Sequence, residues 1–157
     1  MTNPITSTLN EDQQKVAGQA LQGTVVDLID LSLIAKQAHW NVLGRNFRSV
    51  HLALDELVIA AREFTDAAAE RATAIGVSPD GRAATVAKDS GAKGFGEGWT
   101  KDSEVIAAIV DNLAAVIARL RERITTTEDA DPVTQDLLIS FAARLEQLHW
   151  MWQAQVA

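Results

Sequence analysis

The sequence predicts an all-α protein, a bundle of four long amphipathic helices whose second and third members are joined by a long crossover carrying a short helix. Three observations predict it. Apolar residues recur at steps of three and four along four separate segments. Hydrophobic residues make up 47% of the chain and aromatic ones only 5%, with Ala, Leu, Ile and Val carrying the apolar load. That composition favours helices over a β-sandwich. Finally, the connections are unequal, because six of the 9 glycines fall between positions 76 and 100.

The elements follow in order. From Asn10 to Val42 a stripe at Leu21, Val25, Leu28, Ser32, Ala35 and His39 marks one helix face, and Gly44 stops the helix. A second stripe at Val50, Leu54, Leu57, Ala61, Phe64, Ala68 and Ile75 begins only a few residues later, so these two helices should be antiparallel neighbours. Gly76 and Pro79 end the second helix. The segment from Gly76 to Thr100 is far longer than an ordinary helix connection and must span the bundle. Within it, Arg82 to Lys88 suits a short helix, whereas GAKGFGEGW reads as irregular. The third long helix runs from about Asp102 to Thr125 with Ile106, Ile109, Leu113, Val116, Leu120 and Ile124 inward. Asp131 followed by Pro132 is an N-cap and first-turn pair for the fourth, whose stripe is Leu138, Phe141, Leu145, Leu148 and Trp152. Two short turns and one long crossover give the connectivity of a ferritin-like bundle. At 157 residues the chain closes one core, so residues 1–157 are expected to be a single domain with a short non-basic tail at 1–9.

Charge and composition narrow the function. No cysteine, no basic-then-apolar leader and no run near the roughly 20 apolar residues of a membrane span are present, so a soluble cytoplasmic protein is expected. The 21 acidic and 14 basic residues leave a net charge of -7. The basic residues are spread between Lys15 and Arg144, so neither end is a cationic arm of the kind that grips DNA. DNA binding is therefore expected to be unlikely or weak, with Lys15, Arg45 and Arg48 as a weak external patch.

The residues that carry chemistry lie on the first two helices. His39 sits on the apolar stripe of the first, and the second carries His51, Asp55, Asp66 and Glu70. His51 and Asp55 are four apart, as are Asp66 and Glu70, so each pair shares a face and can close on one ion. At 100° per residue the four fall at about 0°, 40°, 60° and 100°, a single sector. Within one chain the pairs cannot share a metal, because fifteen residues of helix separate His51 from Asp66, about 22 Å. A second copy solves this. If two such helices pack antiparallel about a twofold axis midway between Ala60 and Ala61, His51 meets Glu70 of the partner subunit and Asp55 meets Asp66 of the partner subunit. The small Ala60 and Ala61 side chains would then permit close approach at the axis. Mixed imidazole and carboxylate ligands suit iron, manganese or zinc, and a hard carboxylate bridge favours a redox-competent Fe(II) pair over structural zinc.

The stretch KQAHWNVLGRNFRSVHLALDELV, followed by DAAAERATAIG, resembles the Dps family, the dodecameric mini-ferritins that protect DNA in starved cells. The motif covers the first two helices and their turn, and the later TQDLLI and LEQLHW are similar in place. The resemblance implies a ferroxidase centre at a dimer interface, with His39, His51 and Asp55 from one subunit and Asp66 and Glu70 from the other. It further implies a hollow cage of twelve subunits that oxidises Fe(II), typically with hydrogen peroxide, and stores ferric mineral, so protecting against oxidative stress. Trp40 matches an aromatic beside that centre, suited to intercepting stray oxidising equivalents. Asp131 and Asp136, with Glu128 and Asp129, match an acidic channel admitting ions at a threefold axis. The chain departs from many members in lacking Lys-rich tails.

Two other functions compete. Paired metals can activate water, which would make the chain a two-metal hydrolase of amides or esters, but no nucleophile motif or pocket signature supports that. An architectural DNA-compacting protein would want the cationic arms. Glu146 to His149 spells the Glu-x-x-His motif that larger di-iron bundle proteins use in pairs; only one copy exists here, so it is read as a decoy.

Overall fold

The computed structural model describes residues 4–156, so the first three residues of the expected N-terminal tail lie outside the described residues. Helix α1 spans Glu11–Asn41 and opens with a capping box, in which Asn10 accepts from the Gln13 backbone and the Gln13 side chain answers to the Asn10 backbone. Helix α2 spans Phe47–Ala74. It closes in a Schellman arrangement: Val77 N–H donates to Ala72 O and Gly76 N–H to Thr73 O, with Gly76 at φ 77°. Helix α3 is Ala83–Asp89, one residue later than expected. Helix α4 is Asp102–Thr126, and α5 is Pro132–Gln153, capped by Asp131 as the sequence requires.

Helix α1 packs along α2 and α4 along α5, and the two pairs close on each other through α1 against α4 and α2 against α5. The core holds Leu21, Leu28, Leu54, Leu57, Ile109, Leu113, Leu138 and Trp152, all at most 2% exposed. Each such side chain contributes roughly 1.5–3 kcal/mol of burial. Phe64 and Phe141 stack with centroids 4.5 Å apart where α2 meets α5.

Two departures from the sequence reading matter. The first helix ends at Asn41, one residue short of the expected Val42. Val42–Leu43 instead form strand β1, which pairs in parallel with β2, Thr100–Lys101. The ladder satisfies backbone groups at the end of the crossover and ties that end to the α1–α2 turn. The crossover itself is held by two buried polar residues. Asn112 takes the Lys93 and Gly94 N–H groups on its Oδ1 and donates to Gly94 O and Ala108 O. Asp27, fully buried, accepts from Gly91 N–H and lies between the Arg119 and Arg123 guanidiniums, 2.8 and 2.7 Å away. A Cβ on Gly91 would fall 2.2 Å from the Arg119 side chain, so any larger residue there displaces the guanidinium from its place beside Asp27.

Candidate metal centre

The antiparallel pairing of α1 and α2 brings the last turns of α1, which carry Lys36, His39 and Trp40, against the first turns of α2, which carry Phe47, His51 and Asp55. His39 and His51 form a reciprocal clasp. His39 Nδ1 donates to His51 O at 2.8 Å and His51 Nδ1 donates to His39 O at 2.9 Å, while the rings stack with centroids 3.6 Å apart. A carbonyl only accepts, so each Nδ1 carries a proton, and in the neutral ring the lone pair is on Nε2. Both imidazoles are thus fixed in the tautomer that ligates a metal through Nε2.

Asp55 Oδ1 lies 3.5 Å from His39 Nδ1 and 2.6 Å from Lys36 Nζ. The Lys36 ammonium hydrogen-bonded to it holds the Asp55 carboxyl below its usual range, against a smaller upward push from burial. Asp66 and Glu70 lie three and four turns further along α2, solvent-exposed and away from the histidines. Among the described residues no three His, Asp or Glu side chains gather into a group able to hold a metal by themselves.

The face that carries these residues also corrects one expectation. Ala60 and Ala61 are 7% and 0% exposed, packed into the chain's own core, and so are not free to line an axis between copies. The intervening outer positions are Ile59, 66% exposed, and the exposed Arg62. Lys36 is the residue sequence reasoning missed; its signal was its place one turn before His39, on the side facing Asp55.

A profile described as Ferritin-like domain matches residues 18–157. DNA protection during starvation protein of Mycolicibacterium smegmatis is 34% identical over 155 residues, covering 94% of this chain and 81% of that one. This chain belongs to the Dps family. DNA protection during starvation protein 2 of Deinococcus radiodurans is 35% identical over 144 residues and 92% of this chain, which spans 59% of that relative's length. The structure of Dps from Microbacterium arborescens in the high iron form superposes with a TM-score of 0.91 at 30% identity, covering 96% of this chain and 98% of that one.

In this Dps chain the remaining candidates sit in distinct settings. Trp40 is 65% exposed on α1 beside His39. Asp131 is 3% exposed and already engaged: it accepts from Val133 and Thr134 N–H as the α5 cap and from Arg71 NH2 at 2.6 Å. Burial pushes its carboxyl up, but the Thr134 and Arg71 hydrogen bonds outweigh that and leave it below the usual range. Asp136 is exposed on α5. Glu146 of the Glu-x-x-His motif is bound at both oxygens by Arg121, 2.6 and 2.9 Å away.

Proposed function

We propose that two copies of this chain pair through the α1–α2 face and oxidise Fe(II) at two equivalent sites, each built from His39, His51 and Asp55 of one subunit and Asp66 and Glu70 of the other. The observation that carries this reading is the histidine clasp, which fixes two Nε2 lone pairs beside a carboxylate in a chain whose family relatives include a Dps solved in a high iron form. The twofold pairing supplies the carboxylates that a single chain leaves remote, and the exposed Ile59 and Leu52 on the same stretch of α2 give the pairing an apolar component.

Iron is the substrate here. The imidazole nitrogens and carboxylates bind Fe(II), and two such ions each give one electron to one hydrogen peroxide, whose O–O bond breaks as two protons are taken up and two waters form. Moving both electrons together avoids the one-electron cleavage that releases hydroxyl radical. Molecular oxygen is the alternative oxidant. The ferric product hydrolyses and collects as mineral in a closed assembly of these dimers, a cage of twelve in the family pattern, and Fe(II) reaches it through acidic turns in which Asp136 is the free carboxylate and Asp131 the structural one. Trp40 stands next to His39 as the acceptor of stray oxidising equivalents. Protection of DNA then follows from removing Fe(II) and peroxide together, and with 21 acidic against 14 basic residues the chain gains little from the phosphate backbone. Among the described residues no helix is long and apolar enough to cross a membrane; the reading implies work in the cytoplasm, where Fe(II) is available.

The intersubunit character is tested by complementation. A chain with His51→Ala and Asp55→Ala keeps Asp66 and Glu70, and a chain with Asp66→Ala and Glu70→Ala keeps the clasp. Each alone should be inert. Co-refolded, they form hybrid dimers with one complete site, so oxidation of Fe(II) by peroxide should reappear; a mixture as inert as its parts would rule out a shared site.

A further inference from the structure

The turn that delivers His51 is fastened from outside the two helices that carry the site. Helix α2 starts at Phe47 without a side-chain cap from its own N-cap residue, Asn46. The cap comes instead from the start of α4, where Asp102 Oδ2 accepts from Asn46 N–H at 2.8 Å. Gly44, at φ 132°, presses so closely on Asp102 that a Cβ there would fall 2.5 Å from the carboxylate carbon, and Phe47 N–H donates to Gly44 O at 3.1 Å. The β1–β2 ladder, which pairs Val42 with Thr100 and Leu43 with Lys101, holds the two segments in register.

Phe47 sits one helical turn before His51, and its ring centroid is 5.1 Å from that imidazole with the planes tilted 34°. His51 therefore touches two rings, Phe47 and His39. The Phe47 ring is 43% exposed in the single chain and lies outside the bundle core, so its packing within the chain is against His51. At 5.1 Å the Phe47 ring bounds one side of the space into which the His51 ring could turn.

We infer that Phe47 and Asp102 are positioning residues for the iron site: Asp102 fixes the 44–46 turn, the turn fixes Phe47, and Phe47 holds the His51 imidazole with its Nε2 available to the metal. This rests on the iron-site reading above. It makes the end of the glycine-rich crossover part of the site's support. Supporting groups of this kind set ligand orientation and basicity, and their loss weakens metal binding by about 10- to 100-fold.

The test is anaerobic Co(II) titration of the assembled protein, followed by calorimetry and by the visible absorbance of the bound ion, for wild type, Phe47→Ala, Phe47→Leu, Phe47→Trp, Asp102→Ala and His51→Ala. Phe47→Ala and Asp102→Ala should bind Co(II) at least about tenfold more weakly, with altered absorbance and with assembly size unchanged. Phe47→Trp should bind close to wild type and Phe47→Leu should not, because a face-bounding ring and not bulk is required. Phe47→Ala on a His51→Ala background should cost nothing further. Wild-type affinity in Phe47→Ala, with binding lost in His51→Ala, would overturn the positioning role and leave the site reading intact. Equal binding by wild type and His51→Ala would overturn both.

Discussion

Lys36 Nζ lies 2.6 Å from Asp55 Oδ1, on the carboxylate that also faces the paired histidines. At the proposed site this ammonium occupies the carboxylate oxygen that an incoming cation would need. For so exposed a pair the attraction is worth roughly 1 kcal/mol or less. Lys36→Met should therefore tighten Co(II) or Fe(II) binding by up to about fivefold, read by anaerobic titration. Weaker binding in that variant would mean that Lys36 supports the site instead of competing with its ligand.

Pairing through the outer face of α2 is tested at its centre. Ile59 is 66% exposed in the single chain, and in an antiparallel twofold pair it lies opposite Arg62 of the partner subunit. Ile59→Arg would set like charges against each other across the axis and remove the apolar contact. Light scattering coupled to gel filtration should then show a smaller species with a folded helical spectrum, whereas an assembly of unchanged mass would place the dimer face elsewhere.

Asp131 gives a pH-dependent stability. Its folded carboxyl is held below the ordinary range, so its contribution is present above the unfolded value and is lost as pH falls through the folded one. Asp131→Ala should lower stability at neutral pH by about 1–2 kcal/mol through the lost α5 cap and Arg71 contact. The gap between variant and wild-type melting temperatures should narrow as the medium is acidified below the carboxylate range. Asp136→Ala, on an exposed group, should leave the melt unchanged while slowing iron uptake if that carboxylate guides ions.

The crossover latch is tested by Gly91→Ala. The added methyl would meet the Arg119 side chain at 2.2 Å and disturb the pairing with buried Asp27, at a cost of about 1–3 kcal/mol. Asp27→Ala is the harsher change, because it leaves two guanidiniums around an empty position, and a loss of about 3–5 kcal/mol is expected from breaking a buried charge cluster. Calorimetric or denaturant melts decide both, and a neutral outcome for Gly91→Ala would show that Arg119 can move aside.

How much of this was legible in the sequence depends on the range of the interaction. The four long helices were, because each repeats its apolar signal over many turns and Asp131 with Pro132 marks the start of α5 by local chemistry alone. The β1–β2 ladder was not, since two residues at Val42–Leu43 carry no periodicity and their partner is fixed only when the crossover returns. The hold on Gly91, Lys93 and Gly94 in GAKGFGEGW was equally hidden, because it depends on buried Asp27 and Asn112 on other helices. At the site, the residue types and the shared face of α2 could be read from spacing, but the carbonyl partners of His39 and His51, the Lys36 contact and the inward turn of Ala60 and Ala61 are consequences of how α1 and α2 pack.

The central claim, oxidation of iron at a site that needs the α2 ligand pair, is measured most directly by loading the protein anaerobically with Fe(II), adding hydrogen peroxide and following the near-ultraviolet ferric absorbance in wild type and in the His51→Ala, Asp55→Ala double variant. Fast oxidation in wild type that is abolished in the variant is the predicted result. Equal rates in the two proteins would contradict it.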